Sequence, residues 1–230
     1  PIIASGCTCV IKSSEKTPLT ALLFAQLVKE AGFPAGVINV LSGFGPDCGA
    51  ALAKHPRVDK IVFTGSTATG HKIVQYSAES NLKKVTLELG GKSPLIICDD
   101  ADLEAAADAA HGGLFSNQGQ VCCCASRIFV DAKIYDKFAK LCIDRAKKIS
   151  FGTEEGKFQG PQVDEIQFKK ILAYIESGKQ EGAKCVLGGN RYGTKGYYIE
   201  PTIFCDVKDE MKIAKEEIFG PVMQLLKVRI

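Results

Sequence analysis

Residues 85–94 read VTLELGGKSP, and they mark the point where one α/β pattern ends and another begins. The apolar run from Val85 to Leu89 is rich in residues that favour extended backbone, so it predicts a strand. Gly90 and Gly91 interrupt that run, because glycine weakens regular elements and marks turns. A new apolar run opens at Pro94. The sequence therefore predicts two domains, residues 1–90 and 91–230, joined at the glycine pair.

The N-terminal side alternates between strands and helices. Strands are predicted at 9–11, 37–41, 60–63 and 85–89, with helices between them that start near residues 18, 50 and 66. The first helix has an apolar face made of Leu22, Leu23, Ala25, Leu27 and Val28. Strand–helix–strand alternation is typical of a doubly wound, Rossmann-like parallel sheet with right-handed crossovers.

The C-terminal side continues the alternation and predicts a second α/β domain. Strands are expected at 94–98 and 127–130, and helices at 102–115, 135–149 and 166–175. The chain begins at Pro1 without a methionine and ends in the apolar run from Leu225 to Ile230. We therefore expect both domains to be truncated, and the last run to be a strand that lacks its neighbours.

The composition excludes several classes of protein. The chain is 46% hydrophobic and 24% charged, which predicts a globular protein and not a disordered one. The net charge of +3 is not gathered into a basic block, so neither nucleic acid nor a membrane is an expected partner. The ten cysteines show neither a zinc-binding spacing nor a disulfide framework. We expect reduced thiols, no metal and a cytoplasmic location.

A first glycine-bearing turn, SGFGPDCG at residues 42–49, follows a predicted strand. Gly45 and Gly49 lie in it, but the third glycine comes one residue late for the usual dinucleotide fingerprint. The turn could approach a dinucleotide closely, or it could be a tight strand-to-helix connection that binds nothing.

A second such turn, FTGSTATG at residues 63–70, joins Phe63 to a helix through Gly65 and Ser66 and ends at Gly70. Free N–H groups at a helix start attract phosphate, and hydroxyl groups add further donors. The alternative is a serine cap that only closes the helix.

Residues 115–124, FSNQGQVCCC, contain three adjacent cysteines after a polar, glycine-bearing turn. A thiolate is the best side-chain nucleophile for a carbonyl carbon, and its pKa falls where backbone N–H groups face it. Most cysteines are buried structural thiols, and from the residues alone this alternative stays open for each of the three.

Glu88 is a carboxylate within an apolar strand. Desolvation there would raise its pKa and suit it to general-base catalysis. Alternatively, Thr86 and Glu88 share one solvated face of a strand whose side chains alternate.

These segments together resemble the aldehyde dehydrogenase superfamily. Residues 87–94 are similar to its glutamate signature, and residues 115–126 to its cysteine signature, with the nucleophile two residues after Gln120. The resemblance selects Cys122 over Cys123 and Cys124, and it makes Glu88 the general base. It covers essentially the whole chain and is nearest to the tetrameric, NAD-using branch found in the cytosol and mitochondria.

The resemblance also implies a set of NAD contacts. Residues 11–15 are similar to the adenosine-ribose segment, with Ser13 where the family usually has proline, and residues 216–222 to the nicotinamide-side segment. The implied binders of the ribose hydroxyls are Lys12 and Glu15, and Gly45 and Gly49 allow close approach on the adenine side. The cofactor turn supplies Phe63, Gly65, Ser66 and Gly70. The further contacts implied are Gln167 and Lys170 near the cofactor, Leu89 through its backbone to the nicotinamide amide, Glu217 at the nicotinamide ribose, and Phe219 beside the ring.

The implied reaction is oxidation of an aldehyde to a carboxylic acid, through a thiohemiacetal and a thioester on Cys122, with water activated by Glu88. Glu88 argues against a coenzyme-A-acylating relative, whose thioester is resolved by a thiol. The asparagine that completes the family's oxyanion hole would precede Pro1. The alternative is a non-catalytic fragment or a structural, crystallin-like relative. The truncated ends favour this alternative, whereas the presence of Glu88 and Cys122 argues against it. A homotetramer is implied for the full-length protein.

Overall fold

The chain forms two compact units, Pro1–Leu89 and Gly90–Ile230, in a computed structural model that describes residues 1–229. We call them the first and the second unit and describe each by itself. The boundary between them lies one residue from the predicted one. Within the described residues, none of the helices combines the length and the apolar character that crossing a bilayer requires.

The first unit is built from parallel strands and the helices that connect them. Its elements are β1 (Cys9–Lys12), α1 (Leu19–Glu30), β2 (Ile38–Leu41), a π-helical turn (Gly45–Gly49), α2 (Ala50–Lys54), β3 (Lys60–Gly65), α3 (Thr67–Ala78) and β4 (Lys84–Leu89). A short 3-10 turn, Ile3–Ser5, precedes β1. The predicted α/β class with parallel strands is therefore confirmed.

The strands of the first unit pair two by two. β1 pairs with β2 and β3 with β4, both in parallel, and the described residues form two two-stranded sheets where the sequence predicted one. Each sheet joins strands that are consecutive along the chain around one crossover helix, which is the most local pairing a parallel arrangement allows.

Helix α1 differs from its prediction in burial. Leu22, Leu23 and Leu27 were expected to face a core, but they are 46%, 55% and 51% exposed. None of the residues of α1 is buried. A two-stranded sheet offers too little surface to cover such a face, since stable packing usually needs three or more strands.

The second unit contains one five-stranded sheet. Its elements are β5 (Pro94–Ile97), α4 (Leu103–Phe115), a 3-10 turn (Ser116–Gly119), β6 (Arg127–Asp131), α5 (Tyr135–Ala146), α6 (Glu165–Gln180), β7 (Lys184–Leu187), β8 (Thr202–Cys205), α7 (Lys212–Lys215) and β9 (Val222–Val228). In the described part of this unit the strand order is β5-β6-β9-β8-β7, and β7 alone runs antiparallel to its neighbour.

Strand β9 corrects one expectation. The run from Leu225 onward was predicted to lack its neighbours, yet β9 is the central strand and pairs with β6 on one side and β8 on the other. The prediction was wrong because it assumed that strands pair in chain order, whereas parallel sheets insert later strands between earlier ones.

Alternate residues of the sheet enter two different cores. Met223 and Leu225 of β9 pack with α4 and α5, while Val222 and Leu226 pack with α6 and α7. This is the two-residue period of a strand whose two faces are both covered by helices. The unit is therefore a three-layer α/β/α arrangement with its apolar core on both sides of β9.

We predict that Leu225→Ala destabilises the second unit by about 2–5 kcal/mol, because Leu225 is 0% exposed and its loss leaves a cavity in the central strand. Urea unfolding measures the change. Ile166→Ala, which truncates an aliphatic side chain that is 77% exposed, is the control and should change the free energy of unfolding little. Equal effects of the two substitutions would contradict the central placement of β9.

Candidate active site

The turn before the three cysteines has an unusual backbone. Asn117, Gln118 and Gly119 follow one another in the left-handed region, with φ of 50°, 58° and 68°. Residues other than glycine rarely adopt this region, and they keep it only where the surroundings hold them. The Asn117 side chain provides part of that support, because its Nδ2 donates to Gln120 O at 3.1 Å.

The remaining support comes from residues 160–163. Gln120 Oε1 accepts from the Val163 N–H at 3.1 Å. In the amide orientation that satisfies its neighbours, Gln118 accepts from the Gly160 N–H at 3.1 Å and donates to Asn117 O at 3.2 Å. Two glutamine side chains therefore tie the strained turn to one neighbouring segment.

The three cysteines occupy different environments. The Cys124 N–H donates to Val121 O at 3.1 Å, which closes a turn with Cys122 and Cys123 at its centre. Both central cysteines are exposed, whereas Cys124 is buried and its burial raises the pKa of its thiol. The fold thus removes Cys124 from the candidate nucleophiles, and Cys122 and Cys123 both face solvent.

The glycine pair lies against Glu217 and Cys122. The Gly91 N–H donates to Glu217 Oε1 at 3.2 Å. A Cβ at Gly90 would lie 2.2 Å from Glu217 Oε2, and a Cβ at Gly91 would lie 3.5 Å from Cys122 O. Gly90 therefore needs to be a glycine for the carboxylate to reach this place. Within the second unit, the glycine pair, the cysteine turn and the Glu217 segment come together.

A second close approach joins the backbone of Gly119 to that of Gly220, which in turn lies against the Ile171 side chain. A Cβ at Gly119 would lie 2.1 Å from Gly220 O, and a Cβ at Gly220 would lie 2.5 Å from Ile171 Cδ1. A side chain at Gly119 would push the two backbone segments apart, and a side chain at Gly220 would displace the Ile171 side chain. The cysteine turn, Gly220 and helix α6 are consequently stacked in direct contact.

Helix α6 also holds the residues around Phe219. Gln167 Nε2 donates to Ile218 O at 2.9 Å and to Phe219 O at 2.8 Å. One turn further, Lys170 Nζ lies 5.7 Å from the centroid of the Tyr174 ring. Gln167, Lys170, Glu217 and Phe219, all predicted as NAD contacts, are each half-buried.

Lys92 is a charged residue beside this site that the sequence analysis did not single out. Its Nζ donates to Gln224 Oε1 at 2.5 Å. Desolvation lowers the pKa of Lys92 to about 8, although Cys124 and Glu217 favour the charged form. The available signal was a lysine between a glycine pair and an apolar strand, which is an unusual place for a cation.

In the first unit, Lys12 brings together the residues expected at the adenosine ribose. Its Nζ lies 3.6 Å from Glu15 Oε2, and its Cδ would be 3.7 Å from a Cβ at Gly49. The Ser13 hydroxyl beside it is buried and has no hydrogen-bond partner. A Cβ at Gly45 would meet nothing within 4 Å, so this glycine borders open space.

The second glycine-bearing turn is placed between β3 and α3. Ser66 caps α3, because its Oγ accepts from the Thr69 N–H at 3.2 Å. A Cβ at Gly65 would lie 2.5 Å from the Phe63 ring. A Cβ at Gly70 would lie 2.9 Å from Leu89 Cδ2, so Gly70 allows α3 to pack closely on β4. Gly65 and Ser66 are exposed, and Gly70 is buried.

Glu88 is exposed, so the desolvation expected from its apolar strand is wrong. It lies near the carboxyl end of β4, opposite Thr64 of β3, and its side chain alternates with the half-buried Leu87 and Leu89. The two-residue period of the strand turns it to the solvated face. Glu88 belongs to the first unit and Cys122 to the second.

Among residues 1–229, no group of histidine, cysteine or acidic side chains is arranged to hold a metal ion.

Comparison with known proteins gives consistent matches. The sequence profile described as the aldehyde dehydrogenase family matches residues 1–229. The mitochondrial aldehyde dehydrogenase of Mesocricetus auratus is 58% identical over 231 residues, which cover 100% of this chain and 46% of that protein. The corresponding values for cytosolic aldehyde dehydrogenase 1 of Mus musculus are 54%, 100% and 46%.

Solved structures agree with these sequence matches. The NAD⁺ complex of aldehyde dehydrogenase from Bacillus cereus is 49% identical and has a TM-score of 0.96. The match covers 99% of this chain and 47% of that one. The chain therefore spans less than half the length of the relatives that it matches.

The lowered pKa of Lys92 predicts how stability changes with pH. Between the folded pKa of about 8 and the ordinary value of 10.5, the unfolded chain keeps a proton that the folded chain has lost. The free energy of unfolding should therefore rise with pH in this window, by at most on the order of 3 kcal/mol. Urea unfolding between pH 7 and 10.5 should show this rise in the free energy of unfolding for the unaltered protein. The rise should be absent from Lys92→Met. Lys148→Met, at an exposed position, is the control and should keep the rise; parallel profiles for Lys92→Met and the unaltered protein would contradict the assignment.

Proposed function

The chain belongs to the aldehyde dehydrogenase family, and from this premise we propose that it carries the thiol and the base with which the complete protein oxidises an aldehyde to a carboxylic acid, using NAD. The observation that best supports this is the exposed Cys122, whose carbonyl borders Gly91 next to the Glu217 carboxylate. An accessible thiol beside a cluster of residues expected at the cofactor is what acyl transfer through sulfur requires.

The residues present fit NAD. The buried, unpartnered Ser13 hydroxyl beside Lys12 offers a polar group for a ligand, and Gly45 borders open space. Lys12 and Glu15 would hold the adenosine ribose, with Gly49 beneath Lys12. Ser66 and the start of α3 would lie toward phosphate, as helix N-termini favour anions. NAD, when bound, accepts a hydride from the aldehyde carbon.

On the nicotinamide side, Glu217 would bind the ribose and Phe219 would pack beside the ring, with Leu89 offering its backbone to the amide. Gln167 and Lys170 would lie nearby. Phe63, Gly65 and Gly70 would shape the cofactor turn. The Bacillus cereus neighbour was solved with NAD⁺, and it matches nearly the whole of this chain, which supports the choice of cofactor.

Cys122 would act first. Its thiolate adds to the aldehyde carbon, forms a C–S bond and leaves a negative oxygen, to which the Cys122 backbone N–H would donate. Loss of hydride from that carbon turns the adduct into a thioester. The exposed turn gives the sulfur access to substrate, and the hydrogen bonds of Gln118 and Gln120 keep the turn in place.

Glu88 would act second. Its carboxylate takes a proton from water, and the resulting hydroxide adds to the thioester carbon. The C–S bond then breaks, which releases the carboxylic acid and regenerates the Cys122 thiolate. The exposure of Glu88 supports this role because it leaves the carboxylate accessible to water.

The compartment and assembly follow from the relatives and the thiols. All ten cysteines are free, which suits a reducing compartment, and the relatives include mitochondrial and cytosolic proteins. We infer a cytosolic or mitochondrial location, a small aldehyde substrate and a homotetramer for the complete protein.

The function is tested by aldehyde-dependent NADH formation in the complete protein that carries this chain. Cys122→Ala should abolish turnover, while Cys123→Ala, the same change at the neighbouring exposed thiol, should keep most of it. Cys124→Ala removes a buried thiol and should act mainly on stability. Absence of turnover in the unaltered protein across a panel of aldehydes would refute the proposal and favour a non-catalytic role. An equal loss of turnover in Cys123→Ala would contradict the assignment of Cys122 as the nucleophile.

Glu88→Gln should separate the two halves of the reaction. A first burst of NADH, about equal to the number of sites, should remain because the thiol still forms its thioester. Steady turnover should fall by roughly 10²- to 10⁴-fold, the range for a lost general base. Rapid-mixing absorbance measures both phases, with Glu79→Gln as an exposed control in the same unit. A normal steady rate would remove Glu88 from the mechanism.

A further inference from the structure

The amide of Gln167 is fully used as a donor within the chain. A glutamine NH₂ group has two hydrogens, and Nε2 lies 2.9 Å from Ile218 O and 2.8 Å from Phe219 O. A ligand could therefore meet only the carbonyl oxygen of this side chain. The resemblance implies a cofactor contact for Gln167, but its geometry is that of a group that binds backbone.

The two carbonyls that Gln167 binds belong to consecutive residues. In extended backbone such carbonyls point in opposite directions, whereas a left-handed residue lets them face one donor. Phe219 is left-handed, with φ of 58°, although it is not a glycine. Such a conformation persists only where surrounding groups stabilise it. The Gln167 amide stabilises it by donating to the carbonyls of Ile218 and Phe219.

One face of helix α6 contacts residues 216–220 at three points. Gln167, Ile171 and Tyr174 are spaced i, i+4 and i+7, so they lie on the same side of the helix. Ile171 lies under Gly220, and Tyr174 OH donates to Glu216 Oε2 at 2.6 Å. The residues from Glu216 to Gly220, which we call the 216–220 segment, are thus fastened at both ends and in the middle.

We propose that Gln167 is a positioning residue, which sets the place of Glu217 and Phe219 toward the nicotinamide half of the cofactor by binding the backbone of the 216–220 segment. The inference rests on the proposed function and specifies how that site is held. Gln167 acts through its neighbours, and it does not need to touch NAD. Because Gly220 also lies against Gly119, the same hydrogen bonds support the cysteine turn.

The test replaces the amide while keeping the length of the side chain. Gln167→Met has a similar shape, is unbranched and cannot donate. Gln180→Met is the matched control: Gln180 lies in the last turn of the same helix, is exposed, and donates to Glu176 Oε1 at 3.0 Å. Gln167→Glu is a second variant that keeps the size of the side chain and places a carboxylate against two carbonyl oxygens.

The first measurement is hydrogen exchange in the complete protein without NAD. The backbone amides of Glu216 and Val222 flank the 216–220 segment and donate to Lys212 O and Gly220 O. They should exchange roughly 5- to 150-fold faster in Gln167→Met, the factor for the loss of two hydrogen bonds of ordinary strength. Gln180→Met should leave them unchanged. This readout does not depend on catalysis, and unchanged exchange in both Gln167 variants would overturn the proposal.

The second measurement is NAD affinity by titration calorimetry, arranged as a mutant cycle. Gln167→Met should weaken NAD binding by a comparable factor in the unaltered protein. It should have almost no effect in a Glu217→Ala/Phe219→Ala background, because a residue that acts through those side chains has nothing left to position. Equal effects in both backgrounds would show direct contact with NAD and overturn the proposal. An unaltered protein that fails to bind NAD is a distinct result, which would refute the proposed function together with this inference.

Discussion

The contact between Gly119 and Gly220 is the constraint on which the second unit's site depends. A carbonyl oxygen occupies the space where a side chain at Gly119 would begin. This contact fixes the distance between the cysteine turn and the 216–220 segment at a value that only backbone can reach. Ile171 of helix α6 packs against Gly220, which limits the room for the segment to move. The exposed thiol of Cys122 is therefore presented by rigid backbone, although it lies on a turn.

Hydrogen bonds from polar side chains fix the backbone conformation of the two packed loops. Gln118 and Gln120 hold the left-handed turn, and Gln167 holds the left-handed Phe219. In each case a side-chain amide pairs with backbone groups of a strained segment or of the segment packed beside it. Lys92 and Gln224 form a further polar contact beneath the site, where burial lowers the pKa of the amine to about 8. The site thus consists of two strained loops supported by neutral amides and by one lysine whose pKa is lowered by burial.

Much of this could be predicted from the sequence, since strand–helix alternation and the glycine pair locate the elements and the boundary. The pairing of strands could not, because periodicity says which residues form a strand and nothing about which strand lies beside it. That is why the run from Leu225 onward was expected to lack its neighbours, whereas β9 is the central strand. Glu88 was misjudged for a related reason: an apolar neighbourhood in sequence says little about burial when strand faces alternate. The roles of Gln118, Gln120 and Gln167 as backbone ligands depend on contacts with segments 42 to 52 residues away along the chain, which no local pattern reveals.

The central position of β9 has a consequence for how the protein is made. During synthesis the N-terminal elements leave the ribosome first, and chains begin to fold as they emerge. Strands β6 and β8 cannot join into one sheet until β9 follows, because each of them pairs with it and they do not pair with each other. Until then, the parts of helices α4, α5 and α6 that pack on β9 would have no partner. The nascent second unit should therefore depend on protection by chaperones for longer than a domain whose sheet grows in chain order.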